Sequence, residues 1–199
     1  PIPSCSVLEI QKIDQSKILF QHIQRLKLNA EIQSDDALKT YRVNYSLQNE
    51  PKVTIIIPTK NNKTILKRCI DSLENNTNYK NFEIIIIDND STDKKTLDYY
   101  ASLDYNIISY KDNFNFSKMN NLGAKKAQGD YILCLNDDTK AIDPNWLTEM
   151  VSICQQNDVG IVGAKLLHSN GTIQHAGVVF LKSGSGFHTF ENILENNMG

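Results

Sequence analysis

Two pairs of carboxylates stand directly after apolar runs: Asp137 and Asp138 after Tyr131-Ile132-Leu133-Cys134-Leu135, and Asp88 and Asp90 after Phe82 to Ile87. Neighbouring carboxylates at the end of a buried strand repel each other unless they are solvated, hydrogen-bonded or bridged by a cation. For Asn136-Asp137-Asp138 two readings are open. One carboxylate caps the following turn, or the pair holds a hard divalent cation, Mg²⁺ or Mn²⁺, which takes oxygen ligands and completes its shell with water and phosphate oxygens. Asp88 and Asp90 occupy an equivalent place one strand-helix unit earlier. They close an Asx-type turn, with Asp93 the most purely structural of the group, or they accept hydrogen bonds from a nucleobase or ribose.

A third turn, Pro58-Thr59-Lys60-Asn61, follows the run Val53 to Ile57, and either reverses the chain or lines a base pocket. Phe114 and Phe116 wall a ligand or fill the core. Lys118 and Asn121 open a helix, solvated or turned toward the nucleotide side of a cleft. His175, between Gln174 and Ala176-Gly177, reaches a diphosphate or an acceptor, or fills a polar strand position. The histidine spacings match no zinc pattern. GxGxxG, GxxxxGKS and GxSxG are all absent, which leaves a dinucleotide fingerprint, a Walker-type phosphate loop and a serine hydrolase elbow without support.

The elements that must position these residues alternate. Val53 to Ile57 and Phe82 to Ile87 are β-branched runs of the kind buried on both faces of a sheet. Between and after them the spacing predicts helices over Ile65 to Leu73, Lys94 to Leu103 and Lys118 to Ala127, a weaker strand over Asn106 to Tyr110, and the strand Tyr131 to Leu135. Asp143 with Pro144 is a helix start, its apolar side supplied by Trp146, Leu147, Met150, Val151 and Cys154. The fold class is therefore α/β, with a mostly parallel sheet covered on both faces. Such sheets bind ligands at the carboxyl ends of their strands, where the three turns fall.

Residues 1–50 read as an extension or linker: a helix capped by Asp14 or Ser16 and running to about Leu28, a polar stretch, and a short strand Tyr41 to Tyr45. Residues 51–199 read as the main domain. Beyond Asp158 the chain is glycine-rich, with a turn at Ser169-Asn170-Gly171, a strand over Thr172 to Phe180, and a loop at Gly184 and Gly186.

Of the 199 residues, 40% are hydrophobic and 22% charged, which suits one substantial core. A net charge of −2 without basic blocks argues against nucleic acid as a partner. No run approaches the roughly 20 apolar residues that span a bilayer. The four cysteines lack CxxC spacing and read as reduced thiols, which gives a cytoplasmic address, peripheral to the inner face of the membrane if the acceptor is lipid-linked.

Together, Val53-Thr54-Ile55-Ile56-Ile57-Pro58-Thr59-Lys60-Asn61, Glu83 through Asp93, Asn115 to Asn121, Asn136-Asp137-Asp138-Thr139, Val162 to Leu167 and Ile173-Gln174-His175-Ala176-Gly177 resemble the inverting glycosyltransferases of family 2. The similarity is strongest to the bacterial polysaccharide, O-antigen and rhamnosyltransferase branch, and covers about residues 41–190. It implies a GT-A fold, truncated at the carboxyl end, and transfer of a sugar from a nucleotide-sugar, UDP- or dTDP-linked by preference, to a glycan or lipid-linked glycan.

The resemblance also implies roles. Pro58, Thr59 and Asn61 lie by the nucleoside, with Lys118 and Asn121 on its side of the cleft. The acidic residue that recognises the base falls on Asp88 or Asp90, with Asp88 favoured. The DxD-type metal motif falls on Asn136-Asp137-Asp138, whose leading Asn puts the Mn²⁺ or Mg²⁺ chiefly on Asp138, with Asp137 near the ribose or the metal's waters. The base that removes the acceptor proton is expected beyond Gly199, so that this chain carries the donor half of a longer polypeptide. A non-catalytic relative of the family and a nucleotidyltransferase are the alternatives. The latter lacks its glycine-rich, basic triphosphate loop here.

Overall fold

A computed structural model describes residues 15–35 and 40–194. The first elements are a helix, α1 (Gln15–Arg25), and a hairpin of β1 (Ala30–Asp35) and β2 (Thr40–Tyr45), paired antiparallel from Ala30 opposite Tyr45. The expected cap Asp14 lies outside the described residues, and Ser16 is inside the helix. β1 occupies what reads as a polar stretch. Its sequence has little apolar alternation, and its backbone is extended because β2 supplies the ladder.

The alternation that follows is as expected: β3 (Val53–Thr59), α2 (Lys63–Asn75), β4 (Phe82–Asp88), α3 (Lys94–Tyr100), β5 (Asn106–Ser109), α4 (Phe116–Ala124), β6 (Tyr131–Cys134) and α5 (Trp146–Cys154). The four strands form one parallel sheet in the order β5-β4-β3-β6. β3 and β4 are central, and β3 is buried along its whole length. On one face Val53, Ile55, Ile57, Ile84 and Ile86 pack with Leu66, Cys69, Ile70 and Leu73 of α2, Tyr99 and Tyr100 of α3, and Leu147 and Val151 of α5. On the other, Ile56, Ile85 and Ile87 pack with Met119 of α4 and Tyr110. Helices therefore cover both faces, as continuous β-branched strands require.

Two glycines permit this packing. A Cβ at Gly123 would lie 2.6 Å from Ile56 Cγ2, so α4 can sit on β3 only without one. At Gly129 it would lie 2.6 Å from the Thr54 nitrogen and 2.7 Å from the Lys52 oxygen, so the chain enters β6 pressed against the β3 backbone.

Three of the boundary differences have a clear local cause. α4 begins at Phe116 because the Asn115 side chain accepts from the Lys118 N–H and caps it there. Asp143 takes the Asn145 N–H in a tight turn, and the helix proper starts at Trp146. The strand expected over Thr172 to Phe180 is two, β8 (Ile173–His175) and β9 (Val178–Phe180), divided at Gly177, whose φ of +117° is a conformation that L side chains rarely adopt. β8 pairs with β7 (Leu166–Leu167), and β9 with β10 (Gly186–His188), in two-stranded antiparallel ladders.

By contact density the chain divides into two compact units. One is Leu47–Val151; the other draws on residues before Leu47 and from Ser152 onward. No described helix is long and apolar enough to cross a membrane.

Candidate functional site

From β3 the chain winds outward through β4 and β5, then returns to place β6 on the other side of β3. The reversal lies between β3 and β6, and it is there that open α/β sheets form a crevice at the strand ends. Pro58 helps to open it. Lys52 and Ile56 present their carbonyls to β6, accepting from Tyr131 and Leu135, whereas Thr59 presents its carbonyl to Asn89 after β4. By that alternation residue 58 faces β6, and proline has no N–H to give. The paired register of β3 with β6 ends at Ile56 opposite Cys134, and the chains part.

Across the parting, the Thr59 hydroxyl donates to Asp137 Oδ2 at 2.6 Å. Thr59 is buried, Asp137 half-buried and Asp138 exposed. Beneath the turn, the Cys69 thiol points at the Asn136 carbonyl at 3.8 Å. Its pKa is pushed up to about 12, first by burial and then by the charges of Asp137 and Asp138, with Arg68 opposing. The two carboxylates thus concentrate negative charge on this turn. Among the described residues no group of three or more His, Cys, Asp or Glu side chains is gathered for a metal. The donor set here is two carboxylates with open space around one of them. That suits a hard cation that keeps waters and substrate phosphates, and it does not suit a closed structural site.

The turn after β4 is built differently. Asp88 is buried; both its oxygens accept from the Ser91 N–H at 3.2 Å, and Oδ1 accepts from the Tyr100 hydroxyl at 3.1 Å. Burial, first, and the Asp88 charge hold the Tyr100 phenol well above its ordinary pKa, although its contacts with Ser91 and Thr59 act the other way. Asn61, at φ +49°, accepts from the Thr92 and Asp93 N–H groups through Oδ1 and donates its own N–H to Ser91. Asp93 caps α3 through the Thr96 N–H. The first and second turns are therefore laced together by Asn61 and Ser91.

Beside them lies a cleft of about 530 Å³ lined by Lys60, Asn89, Asp90, Lys111, Asp112, Asn113 and Phe114. Asp90, at φ +56°, faces this cleft, whereas Asp88 is not among its lining residues. Buried Asn89 holds the far wall by donating to the Tyr110 and Asp112 carbonyls at 3.2 and 3.0 Å. Asn89, Lys111 and Asp112 are absent from the candidates read in sequence. Asn89 stands between two aspartates and is masked by them, and Lys111 and Asp112 follow the weakest strand.

Of the remaining candidates, Lys118 is exposed with its ammonium 3.9 Å from Asp112, and Asn121 is exposed one turn further along α4. Phe114 and Phe116 are exposed, so neither is a core residue. His175 belongs to the other unit. Its Nδ1 meets His188 Nδ1 at 2.8 Å, with the rings edge-on.

Comparison with known proteins gives these features a context. The model of the family described as "Glycosyl transferase family 2" matches residues 54–191. The chain is 38% identical over 182 residues to the O-antigen biosynthesis protein RfbC of Myxococcus xanthus, covering 90% of this chain and 14% of that protein. It is 27% identical over 128 residues to a GalNAc(5)-diNAcBac-PP-undecaprenol β-1,3-glucosyltransferase of Campylobacter jejuni, covering 62% and 41%. Among solved structures, the mannosyltransferase PcManGT from Pyrobaculum calidifontis, determined with GDP-Man and Mn²⁺, shares the fold at 18% identity with a TM-score of 0.50, covering 73% of this chain and 41% of that one. The chain thus spans less than half the length of each of these proteins. With a family model matched from β3 through β10 and a parallel sheet whose strand order switches between β3 and β6 beside an acidic turn, the chain belongs to glycosyl transferase family 2, with the GT-A fold.

Proposed function

We propose that this chain holds the nucleotide-sugar donor for inverting transfer of a sugar to a glycan or lipid-linked glycan acceptor. The observation that carries the reading is the Thr59–Asp137 hydrogen bond at the mouth of the β3/β6 crevice, with Asp138 exposed beside it. A UDP- or dTDP-sugar is the favoured donor. Its nucleoside lies in the cleft of Lys60, Asn89, Asp90 and Lys111, and its diphosphate reaches toward Asp138.

Each residue has a task. Asp88 and Asn61 fix the backbone of the two turns, so that Asp90 can accept from the base or ribose without rearrangement. Thr59 orients Asp137 and leaves its second oxygen available. Asp138 and Asp137 would hold Mn²⁺ or Mg²⁺, and when bound the cation would stabilise the charge of the departing nucleoside diphosphate. Lys118 and Asn121 stand on α4 at the nucleotide side, and His175 is the contact proposed for an acceptor or diphosphate group. No described residue is assigned as the base that takes the acceptor proton. The free thiols of Cys69, Cys134 and Cys154 support action in the reducing cytoplasm, at the inner membrane face where the acceptor is lipid-linked.

Calorimetric titration with UDP, dTDP, GDP and CDP, each with and without Mn²⁺, tests the proposal. One nucleotide should bind in a metal-dependent manner, and Asp138→Ala should abolish the metal dependence. Equal binding by the variant, or none by the wild type, would overturn it.

A further inference from the structure

A second concavity, unrelated to the nucleoside cleft, lies along the outer side of α2. It has a volume of about 490 Å³, and one wall is a helical stripe that includes Thr64, Lys67, Arg68, Asp71 and Ser72. The other wall is the segment at Lys140 and Ala141, which leaves the Asn136-Asp137-Asp138 turn. Hydrogen bonds staple the walls together. Ser72 Oγ accepts from the Ala141 N–H at 3.0 Å, and Asn76 Nδ2 donates to the Ala141 and Ile142 carbonyls at 3.0 and 2.6 Å. These bonds from the Ser72 and Asn76 side chains fix the backbone of the 141–142 segment against α2, so the two walls keep their spacing.

Its lining carries more positive than negative charge. Lys67 is matched by Asp71, whose two oxygens both accept from its ammonium at 2.7 Å. Arg68 and Lys140 have no carboxylate within ion-pair distance among the described residues. Two free cations from opposite walls therefore share one pocket in a chain whose net charge is −2. A guanidinium offers paired N–H groups to a phosphate, an ammonium adds a point charge, and the Thr64 hydroxyl is within the same lining. No acidic side chain other than the already paired Asp71 lines the space.

We propose that this pocket is an anion site for a phosphate ester, separate from the donor diphosphate and belonging to the acceptor side of the reaction. The acceptor assignment rests on the glycosyltransferase reading; the anion site does not. The pocket begins two residues beyond Asp138, so a phosphate bound there would anchor an anionic acceptor beside the donor turn. It would do so without competing for the carboxylates that face the cation.

The test uses the chain with EDTA at low ionic strength, where screening of exposed charges is weakest. Inorganic pyrophosphate and glycerol 3-phosphate are titrated separately, with amide shifts in α2 and at residues 139–142 as the readout, and UDP with Mn²⁺ is titrated in a parallel sample without EDTA. Both metal-free anions should shift those amides, and Arg68→Gln combined with Lys140→Gln should weaken them about tenfold. That variant should leave UDP affinity within about twofold. Asp138→Ala should do the reverse. Unaltered pyrophosphate binding in the double variant, no shift in the wild type, or an equal loss of UDP affinity would overturn the proposal. The last result would assign the two cations to the donor diphosphate instead. A failure of UDP to bind at all would strike the donor reading alone.

Discussion

The turns after β4 and β6 are alike in sequence and opposite in construction. Each places two aspartates after an apolar strand at the carboxyl edge of the sheet. After β4, Asp88 is buried and engaged by the Ser91 N–H and the Tyr100 hydroxyl, contacts that tie it into its own turn. After β6, Asp137 has one side-chain donor, Thr59, and Asp138 is exposed. A carboxylate supplied with donors from its own surroundings stabilises structure, and one left without them is available to a ligand. Charge count alone does not separate the two.

The contrast can be broken most readily at Asp88. Asp88→Ala leaves a buried hydroxyl and a turn N–H without their acceptor, and should cost about 2–3 kcal/mol in urea unfolding, the largest effect expected of either turn. A change under about 0.5 kcal/mol would show that Asp88 is not the structural member of the pair. Thr59→Val keeps the shape but removes the donor to Asp137. It should cost about 1 kcal/mol and weaken nucleotide binding severalfold, and a variant with unchanged affinity would remove Thr59 from the positioning of Asp137.

The amino end of the sheet sharpens the comparison, because Glu83 there resembles Asp88 in being satisfied. Burial works against its charge, but donors from the Lys52 and Thr54 side chains and the Gln128 N–H outweigh it, and its carboxyl is held below the ordinary value. A lowered folded-state pKa contributes stability that is present above the unfolded value and lost as pH falls through the folded one. Stability should therefore decline below about pH 4.5, and Glu83→Gln should flatten that limb in urea melts at pH 3 to 6. The smallest effect belongs to Asp138→Asn. As an exposed side chain it should alter unfolding by less than about 0.5 kcal/mol while removing metal-dependent nucleotide binding. Marked destabilisation would make it a structural residue like Asp88.

Sequence alone determined the α/β class, the parallel core strands and the three turns at their carboxyl ends. β-branched runs long enough to be buried on both faces have few other arrangements, and an alternating strand-helix order places successive turns on one edge. The family could be read from the same segments. β1 and the division of β8 from β9 were not legible, because the first depends on the ladder offered by a later strand and the second on a single glycine. Only the tertiary structure decided the surroundings of each acidic residue. Asp88 and Asp90 are two residues apart, yet one is enclosed by Tyr100 and Ser91 and the other faces the cleft. Asp137 meets a threonine 78 positions earlier, across a gap that opens where Pro58 withholds an N–H from β6. Partners so distant in the chain leave no local pattern, and it is those partners that set how many donors each carboxylate meets.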